Sequence, residues 1–191
     1  MKIFPEDDEA VDTAYLDEAG KILYRVRYKD DKAFLEKLDA EKETFVPFAE
    51  VDSETIKIGG TETSEEEFFQ KDGWSLWGKN RVFTGSDGHR YRWELRAIGG
   101  SQLFRINSDD SSGEDPVFKF HRATAGVLHD EAPACYEVDP SVEGMLDLIM
   151  VTYVFVETKR EDRIRVLIEV GNAAGKANKS LKKFNASEAE Y

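Results

Sequence analysis

The sequence predicts a mainly β protein of short antiparallel strands, with one buried apolar element near the C-terminal end. Several short segments alternate polar and apolar residues with period two, and Gly- and Asp-rich turns separate them. That pattern is typical of strands with one solvent-facing side, and its regular spacing indicates a barrel or a sandwich. The apolar element is the 12-residue run from Met145 to Val156, in which Asp147 carries the only charge.

The composition is that of one soluble domain. A chain of 191 residues with 40% hydrophobic and 34% charged residues can build one domain with a substantial core. The net charge of -13 argues against general binding to nucleic acid or to anionic membrane, because both are polyanionic. No signal-peptide pattern starts the chain and Cys135 is its one cysteine, so we expect a cytoplasmic location, with peripheral membrane association as its variant.

The N-terminal part of the chain divides into an arm and a first group of strands. Residues 1–19 are acidic and weakly patterned, which predicts a mobile arm. The segment KILYRVRYKD alternates apolar positions with Arg25 and Arg27 and predicts a strand. TFVPFAEVDSETIKIGG predicts one or two further strands, and TETSEEEFFQKDG predicts an acidic loop with a helical turn.

The middle of the chain predicts two hairpins. In the first, the GSDGH turn lies between Phe83 and Arg90 and supplies the Gly and Asp that a tight turn requires. In the second, NSDDSSGEDP separates a strand near Leu103 from VFKFHR. Alternation predicts one inward and one outward set of side chains. The inward set is Tyr91, Trp93, Phe118 and Phe120, and the outward set is Arg90, Arg92 and Lys119.

The apolar run from Met145 to Val156 is too short for a membrane span, which needs about 20 apolar residues. VTYVFV within it favours a strand, since it is β-branched and aromatic. DPSVEG before it favours a helix start, with Asp139 or Ser141 as cap and Pro140 in the first turn. The run is apolar on all sides, which predicts burial on all sides but leaves helix and strand open.

Three segments carry a resemblance to a known family. WGKNRVFTGSDGHRYRWEL, DPVFKFHRA and MLDLIMVTYVFVETKRE resemble a family of unknown function from mushroom-forming fungi, over roughly residues 20–160. Its two motifs match here from Phe83 to Trp93 and from Met145 to Glu157. That family is similar to the tubby-like group, which includes the LURP-one-related proteins and the phospholipid scramblases.

The resemblance implies a closed antiparallel tubby-like β-barrel of about 12 strands around a buried apolar C-terminal helix. The implied domain is 20–160 with the central helix at about 143–158. Residues 161–191 would then form a helical extension to about Val170 and a polar, basic tail. We expect Gly171 and Gly175 to end or fray that extension.

No residue pattern predicts catalysis, a metal site or a cofactor. His89, His121 and His129 lack the spacing of zinc ligands, and Cys135 has no histidine near it in sequence. NSDDSSGED fails the EF-hand register, because Ser112 stands where glycine is required. GSDGH lacks the lysine and the helix of a phosphate loop.

The basic positions on the predicted strands give the functional hypothesis. Tubby-like domains bind phosphoinositides, so the resemblance implies one anion-binding surface built from outward cations, and arginine forks suit phosphate. The candidate residues are Arg25, Arg27, Arg90, Arg92 and Lys119. We therefore expect a non-catalytic binding module for anionic lipid headgroups or protein partners. The alternative is an enzyme with an acid/base site in a pocket beside the barrel.

Overall fold

A computed structural model describes residues 1–7, 10–39, 41–75, 78–96, 100–107, 115–124 and 132–188, with the backbone alone for 74–75, 78–79 and 171–188. These residues form 13 strands, one short α-helix, one 3₁₀ helix and one long α-helix. The strands are β1 Lys2–Pro5, β2 Thr13–Leu16, β3 Ile22–Lys29, β4 Lys32–Asp39, β5 Thr44–Val51, β6 Thr55–Ile58, β7 Thr61–Ser64, β8 Gln70–Ser75, β9 Gly78–Thr84, β10 Arg90–Glu94, β11 Gln102–Arg105, β12 Phe118–His121 and β13 Cys135–Val138. The helices are α1 Glu65–Phe68, the 3₁₀ helix Pro140–Met145 and α2 Leu146–Glu188.

All these strands belong to one antiparallel sheet. Their order is β7-β6-β5-β4-β3-β2-β1-β13-β12-β11-β10-β9-β8, so neighbours in sequence are mostly neighbours in space. The exception is the pairing of β1 with β13, which joins the two halves of the sheet through the pairs Lys2–Glu137 and Ile3–Tyr136. Residues 1–19, where the sequence predicted a mobile arm, therefore contain two strands of the sheet. Ile3 on β1 and Tyr15 on β2 are both fully buried.

The sheet curls around the first part of α2. Every residue from Ile149 to Val156 is at most 4% exposed, so side chains cover this part of the helix on all sides. The covering residues come from distant strands: Trp93 donates to Thr152, Tyr136 shares a hydrogen bond with Tyr153, and Phe69 stacks on Phe155. The mainly β class and the C-terminal helix are thus confirmed.

The predicted closed barrel is wrong. The two ends of the sheet, β7 and β8, form no ladder with each other in the part of the chain described, so the sheet is open. The local cause is a capping box, in which Ser64 Oγ accepts from the Glu67 amide and the Glu67 carboxylate accepts from the Ser64 amide. This box turns the chain into α1 where a strand would have continued to the other edge.

The gap between β7 and β8 is bridged by α1 rather than by backbone pairing. Glu65 is the link, because its carboxylate lies 2.8 Å from Arg81 of β9, 3.7 Å from Lys71 of β8 and 3.5 Å from Lys159 of α2. Phe69, just after α1, is buried between Phe83 and Phe155. The opening is therefore filled by side chains.

The long helix begins as the sequence indicates and ends much later. Asp139 caps the 3₁₀ helix by accepting from the Ser141 amide at 2.9 Å, with Pro140 in the first turn, which confirms the predicted start. α2 then runs to Glu188 and passes through Gly171 and Gly175 without a break. The predicted end near Val170 is wrong, because glycine lowers helix propensity by only about 1 kcal/mol and does not by itself stop a helix.

Candidate functional site

The structure does not bring the predicted anion-binding residues into one patch. Arg25 and Arg27 lie on β3, whereas Arg90 and Arg92 lie on β10. Five strands separate β3 from β10 in the sheet, a distance of about 29 Å along it at about 4.8 Å per strand. Lys119 lies on β12, two strands from β10.

Each of the four arginines has a partner one or two strands away in the sheet. Arg92 lies 2.8 Å from Asp72, and Arg27 lies 3.4 Å from Glu36. The Arg25 guanidinium stacks 3.7 Å above the centre of the Phe45 ring, and Arg90 donates to Gln70 at 3.3 Å. A phosphate would compete with these contacts, and it would meet acidic neighbours, since Glu6 and Asp12 line the same shallow concavity as the β3 arginines.

The sheet places one histidine beside the cysteine. His121 stands directly opposite Cys135 in the β12–β13 ladder, and its Nε2 lies 2.8 Å from the Glu137 carboxylate. Burial raises the pKa of the Cys135 thiol, against a smaller lowering by Lys2. A nucleophilic cysteine needs a lowered pKa, so this arrangement does not make an activated thiolate.

The structure offers no metal centre among the residues it describes. No group of three His, Cys, Asp or Glu side chains in that set converges on one point. His89 contacts Arg105 at the end of the first hairpin. His129 and most of the NSDDSSGED turn lie outside the described residues.

The first motif, from Phe83 to Trp93, serves the fold. A Cβ on Gly85 would lie 2.7–2.8 Å from side-chain atoms of Asp87, Met145 and Tyr91, so the hairpin has no room for a side chain at this position. Asp87 accepts from the Tyr91 hydroxyl at 2.6 Å, and this bond together with burial raises the pKa of Tyr91. Gly88 has a φ of 80°, which favours glycine.

The polar residues of the second motif, from Met145 to Glu157, also bind to strands and loops. Asp147 accepts from the Tyr24 hydroxyl at 2.8 Å and pairs with Lys37. Glu157 is 2% exposed and accepts from the Ser101 amide at 2.9 Å, while Arg160 neutralises it. The motif residues thus hold α2 inside the sheet rather than face a ligand.

A candidate site is found where α2 leaves the sheet. Two adjoining concavities of about 290 and 370 Å³ share five lining residues: Tyr28, Asp31, Thr158, Asp162 and Arg165. Val51, Asp52 and Ser53 complete one concavity, and Val11, Asp12 and Glu161 complete the other. We call these two concavities together the exit groove.

The exit groove is acidic. Five carboxylates line it against one guanidinium, that of Arg165, which lies 3.4 Å from Asp162. The carboxylates are those of Asp12, Asp31, Asp52, Glu161 and Asp162. Burial, Asp31 and Asp162 all raise the pKa of the Tyr28 hydroxyl, against a smaller lowering by Arg165, so the phenol stays neutral, and Tyr28 is 39% exposed.

Turns hold the carboxylates of the groove in position. Asp12 accepts from the Tyr28 amide at 2.6 Å. Burial acts to raise the pKa of the Asp52 carboxyl. Hydrogen bonds from Glu54, Thr55 and Lys32 outweigh burial and lower that pKa to about 2. The groove therefore presents fixed negative charges beside an aromatic ring, an arrangement that suits a Lys or Arg side chain.

The sequence did not reveal this groove, because its residues come from four separate segments. The only signal in the sequence is the excess of Asp and Glu, which does not place these residues on one surface. The sequence does not show that the turn at Asp31 lies beside the segment of α2 that leaves the sheet, because this proximity depends on the strand order.

Comparison with known proteins gives one family. The model of a family of unknown function, DUF6593, matches residues 8–162. Curated proteins and solved structures give no significant match. Within the described part of the chain, no helix combines the length and the apolarity that crossing a bilayer requires.

Proposed function

The chain belongs to the DUF6593 family of unknown function, and we propose that it is a non-catalytic binding module whose exit groove takes a Lys- or Arg-rich segment of a protein partner. The family match covers residues 8–162, so it includes β2 to β13 and the start of α2, whereas β1 and Arg165 of the groove lie outside it. The proposal concerns this unit.

The observation that carries the proposal is the composition of the exit groove. Five carboxylates line the same concavities as the exposed Tyr28, with Arg165 as the one cation among the described lining residues. A cationic side chain could lie over the ring and reach Asp31 or Asp162, combining a cation–π contact with charge-assisted hydrogen bonds.

The polar groups outside the groove form hydrogen bonds within the fold, which supports a binding role over catalysis. Asp147 and Glu157 each accept hydrogen bonds that join α2 to other parts of the fold, and Asp87 accepts one within its own hairpin. The thiol of Cys135 has a raised pKa. In the exit groove the pKa of Asp52 is lowered to about 2 and that of Tyr28 is raised, so both move away from neutral pH, where an acid/base catalyst needs its pKa.

Of the two ligand classes, the structure favours a protein partner. Anionic headgroups would need the predicted arginines, which are spread over distant strands and already contact Asp72, Glu36, Gln70 or Phe45. Lipid binding, the tubby-like kinship, a fungal source and a cytoplasmic location stay predictions from the motifs and composition.

A titration with a synthetic oligolysine peptide tests the proposal. We expect binding that weakens with added salt, and a further loss in Asp31→Asn and in Asp162→Asn. Each exposed ion pair contributes about 0.5–1 kcal/mol, so each variant should bind about two- to fivefold more weakly. Tyr28→Leu should also weaken binding, because it removes the aromatic face.

Asp30→Asn is the matched control. Asp30 is adjacent to Asp31, has a similar positive φ and pairs with Lys29 at 3.9 Å, but it does not line the groove. Asparagine tolerates positive φ well, so both variants should fold. If Asp30→Asn weakens binding as much as Asp31→Asn, the peptide responds only to net charge and the groove is not the site.

A further inference from the structure

We infer that the part of α2 beyond the sheet is a dimerisation helix that pairs antiparallel with the same helix of a second copy of this chain. α2 continues from Glu161 to Glu188, about 42 Å at 1.5 Å per residue, and this length lies almost entirely outside the family match. Four apolar residues at its start are between 46% and 61% exposed: Val166, Leu167, Ile168 and Val170.

The sequence along this helix has a coiled-coil seam. Positions 167, 170, 174, 177, 181 and 184 are Leu, Val, Ala, Ala, Leu and Phe. Their spacing alternates three and four residues, which places them on one side of an α-helix as the a and d positions of a heptad. The helical backbone through Glu188 makes this stripe continuous for three heptads.

The positions beside the seam carry no charge. Positions 166, 171, 173, 178, 180 and 185 are Val, Gly, Ala, Asn, Ser and Asn. The charged positions from 165 to 183 fall on the opposite side of the helix. Small, uncharged flanks allow a second helix to approach closely.

The order of side-chain sizes fits a two-fold axis between Ala174 and Ala177. In an antiparallel pair about that point, position 167 lies opposite position 184 of the second copy, position 170 opposite 181, and position 174 opposite 177. Each contact then occurs twice, as an isologous interface requires.

Charge favours the antiparallel over the parallel pair. Residues 1–162 contain 36 Asp and Glu against 20 Lys and Arg, so this part carries a net charge of -16. A parallel pair would place two such bodies side by side. An antiparallel pair separates them by the 18-residue seam, about 27 Å, which exceeds the screening length of about 8 Å.

The glycine-containing stretch has low helix propensity of its own, so packing would stabilise it. Residues 171–178 include Gly171 and Gly175, each of which weakens an isolated helix by about 1 kcal/mol. Most helical stability in proteins comes from packing of an apolar face, and the seam is the face available for it.

Sedimentation equilibrium of the full chain tests the inference. We expect a mass of twice 21.7 kDa, and a return to the single-chain mass in Leu167→Glu and in Val170→Glu. Ile168→Glu is the matched control, because Ile168 is 58% exposed on the same turn but lies off the seam, and it should keep the double mass. A monomeric wild type, or an Ile168→Glu variant that dissociates like Leu167→Glu, would overturn the inference.

Disulfide trapping tests the direction of the pair. Chains with Val170→Cys mixed with chains with Leu181→Cys should form a linked dimer, whereas Val170→Cys alone and the wild type, with buried Cys135, should not. Linking in Val170→Cys alone would overturn the antiparallel arrangement. Flotation of a monomeric protein with phosphatidylserine vesicles, lost in Leu167→Glu, would assign the seam to membrane binding instead.

Discussion

Gly85 shows how a single residue of the first motif is determined by packing. Its backbone lies against Asp87, Met145 and Tyr91, and an added Cβ would approach each of them to within 2.8 Å. We expect Gly85→Ala to lower the free energy of unfolding by about 1–3 kcal/mol, since overpacking forces neighbouring groups apart. Urea denaturation followed by tryptophan fluorescence would measure the loss.

Gly144→Ala is the control for this prediction. Gly144 lies in the 3₁₀ helix before α2, and no described atom lies within 4 Å of where its Cβ would be. This variant should change the free energy of unfolding by less than about 1 kcal/mol. Equal effects of the two substitutions would contradict the packing argument for Gly85.

Asp52 links stability to pH. Its folded pKa of about 2 lies below the unfolded value of about 3.9, so its charge stabilises the fold above pH of about 4. This contribution is lost as the pH falls through the folded pKa. Asp52→Asn keeps an oxygen for the amides of Glu54 and Thr55 but loses the charge that pairs with Lys32.

We therefore expect Asp52→Asn to be less stable than the wild type at neutral pH, and the difference to shrink between pH of about 4 and 2. Urea denaturation at a series of pH values would show it. A difference that stays constant down to pH of about 2 would mean that the carboxylate is not stabilised in the folded state.

At the scale of elements, period-two alternation oriented most of the predicted inward residues. It placed Tyr91, Trp93 and Phe118 inside, where each is at most 1% exposed, whereas Phe120, also predicted inside, is half-buried against the core. It could not predict how the sheet ends, because the capping box at Ser64 and Glu67 competes with strand continuation only through local hydrogen bonds. The sequence did not predict β1 and β2, because their apolar residues Ile3 and Tyr15 stand in a short segment rich in acidic residues.

The contact between α2 and β10 depends on one hydroxyl. Thr152 Oγ1 accepts from the indole of Trp93 at 3.1 Å, and both residues are fully buried. Thr152→Val keeps the shape but leaves the indole N–H without an acceptor. We expect a loss of about 1–3 kcal/mol in the free energy of unfolding, measured by urea denaturation.

Thr158→Val provides the comparison on the same helix. The Thr158 hydroxyl donates only to the Val154 carbonyl at 2.8 Å, and the residue is half-buried near the rim. Its replacement should change stability by no more than about 0.5 kcal/mol. If Thr158→Val costs as much as Thr152→Val, the indole contact is not what distinguishes the two positions.

At the scale of the whole molecule, the exit groove and the distribution of charge cannot be recognised from the order of residues in the sequence. The exit groove unites residues near positions 12, 28–31, 51–53 and 158–165, which the alternating pattern along each strand cannot relate to one another. The second half of the sheet differs in charge from the first: residues 70–107 contain seven Lys and Arg against three Asp and Glu. The negative net charge of the chain is therefore unevenly distributed over the sheet, and the groove lies in the acidic half.

Hydrogen exchange with and without the oligolysine peptide tests the central claim, that the exit groove is a site for cationic segments. We expect added protection of backbone amides at residues 28–31, 51–53 and 158–165, and little change in β10 and β12. At a peptide concentration near the Kd, Asp31→Asn should reduce this protection, while Asp30→Asn should retain it. Protection spread evenly over the acidic surface, or centred on β10 and β12, would mean that the groove is not the binding site.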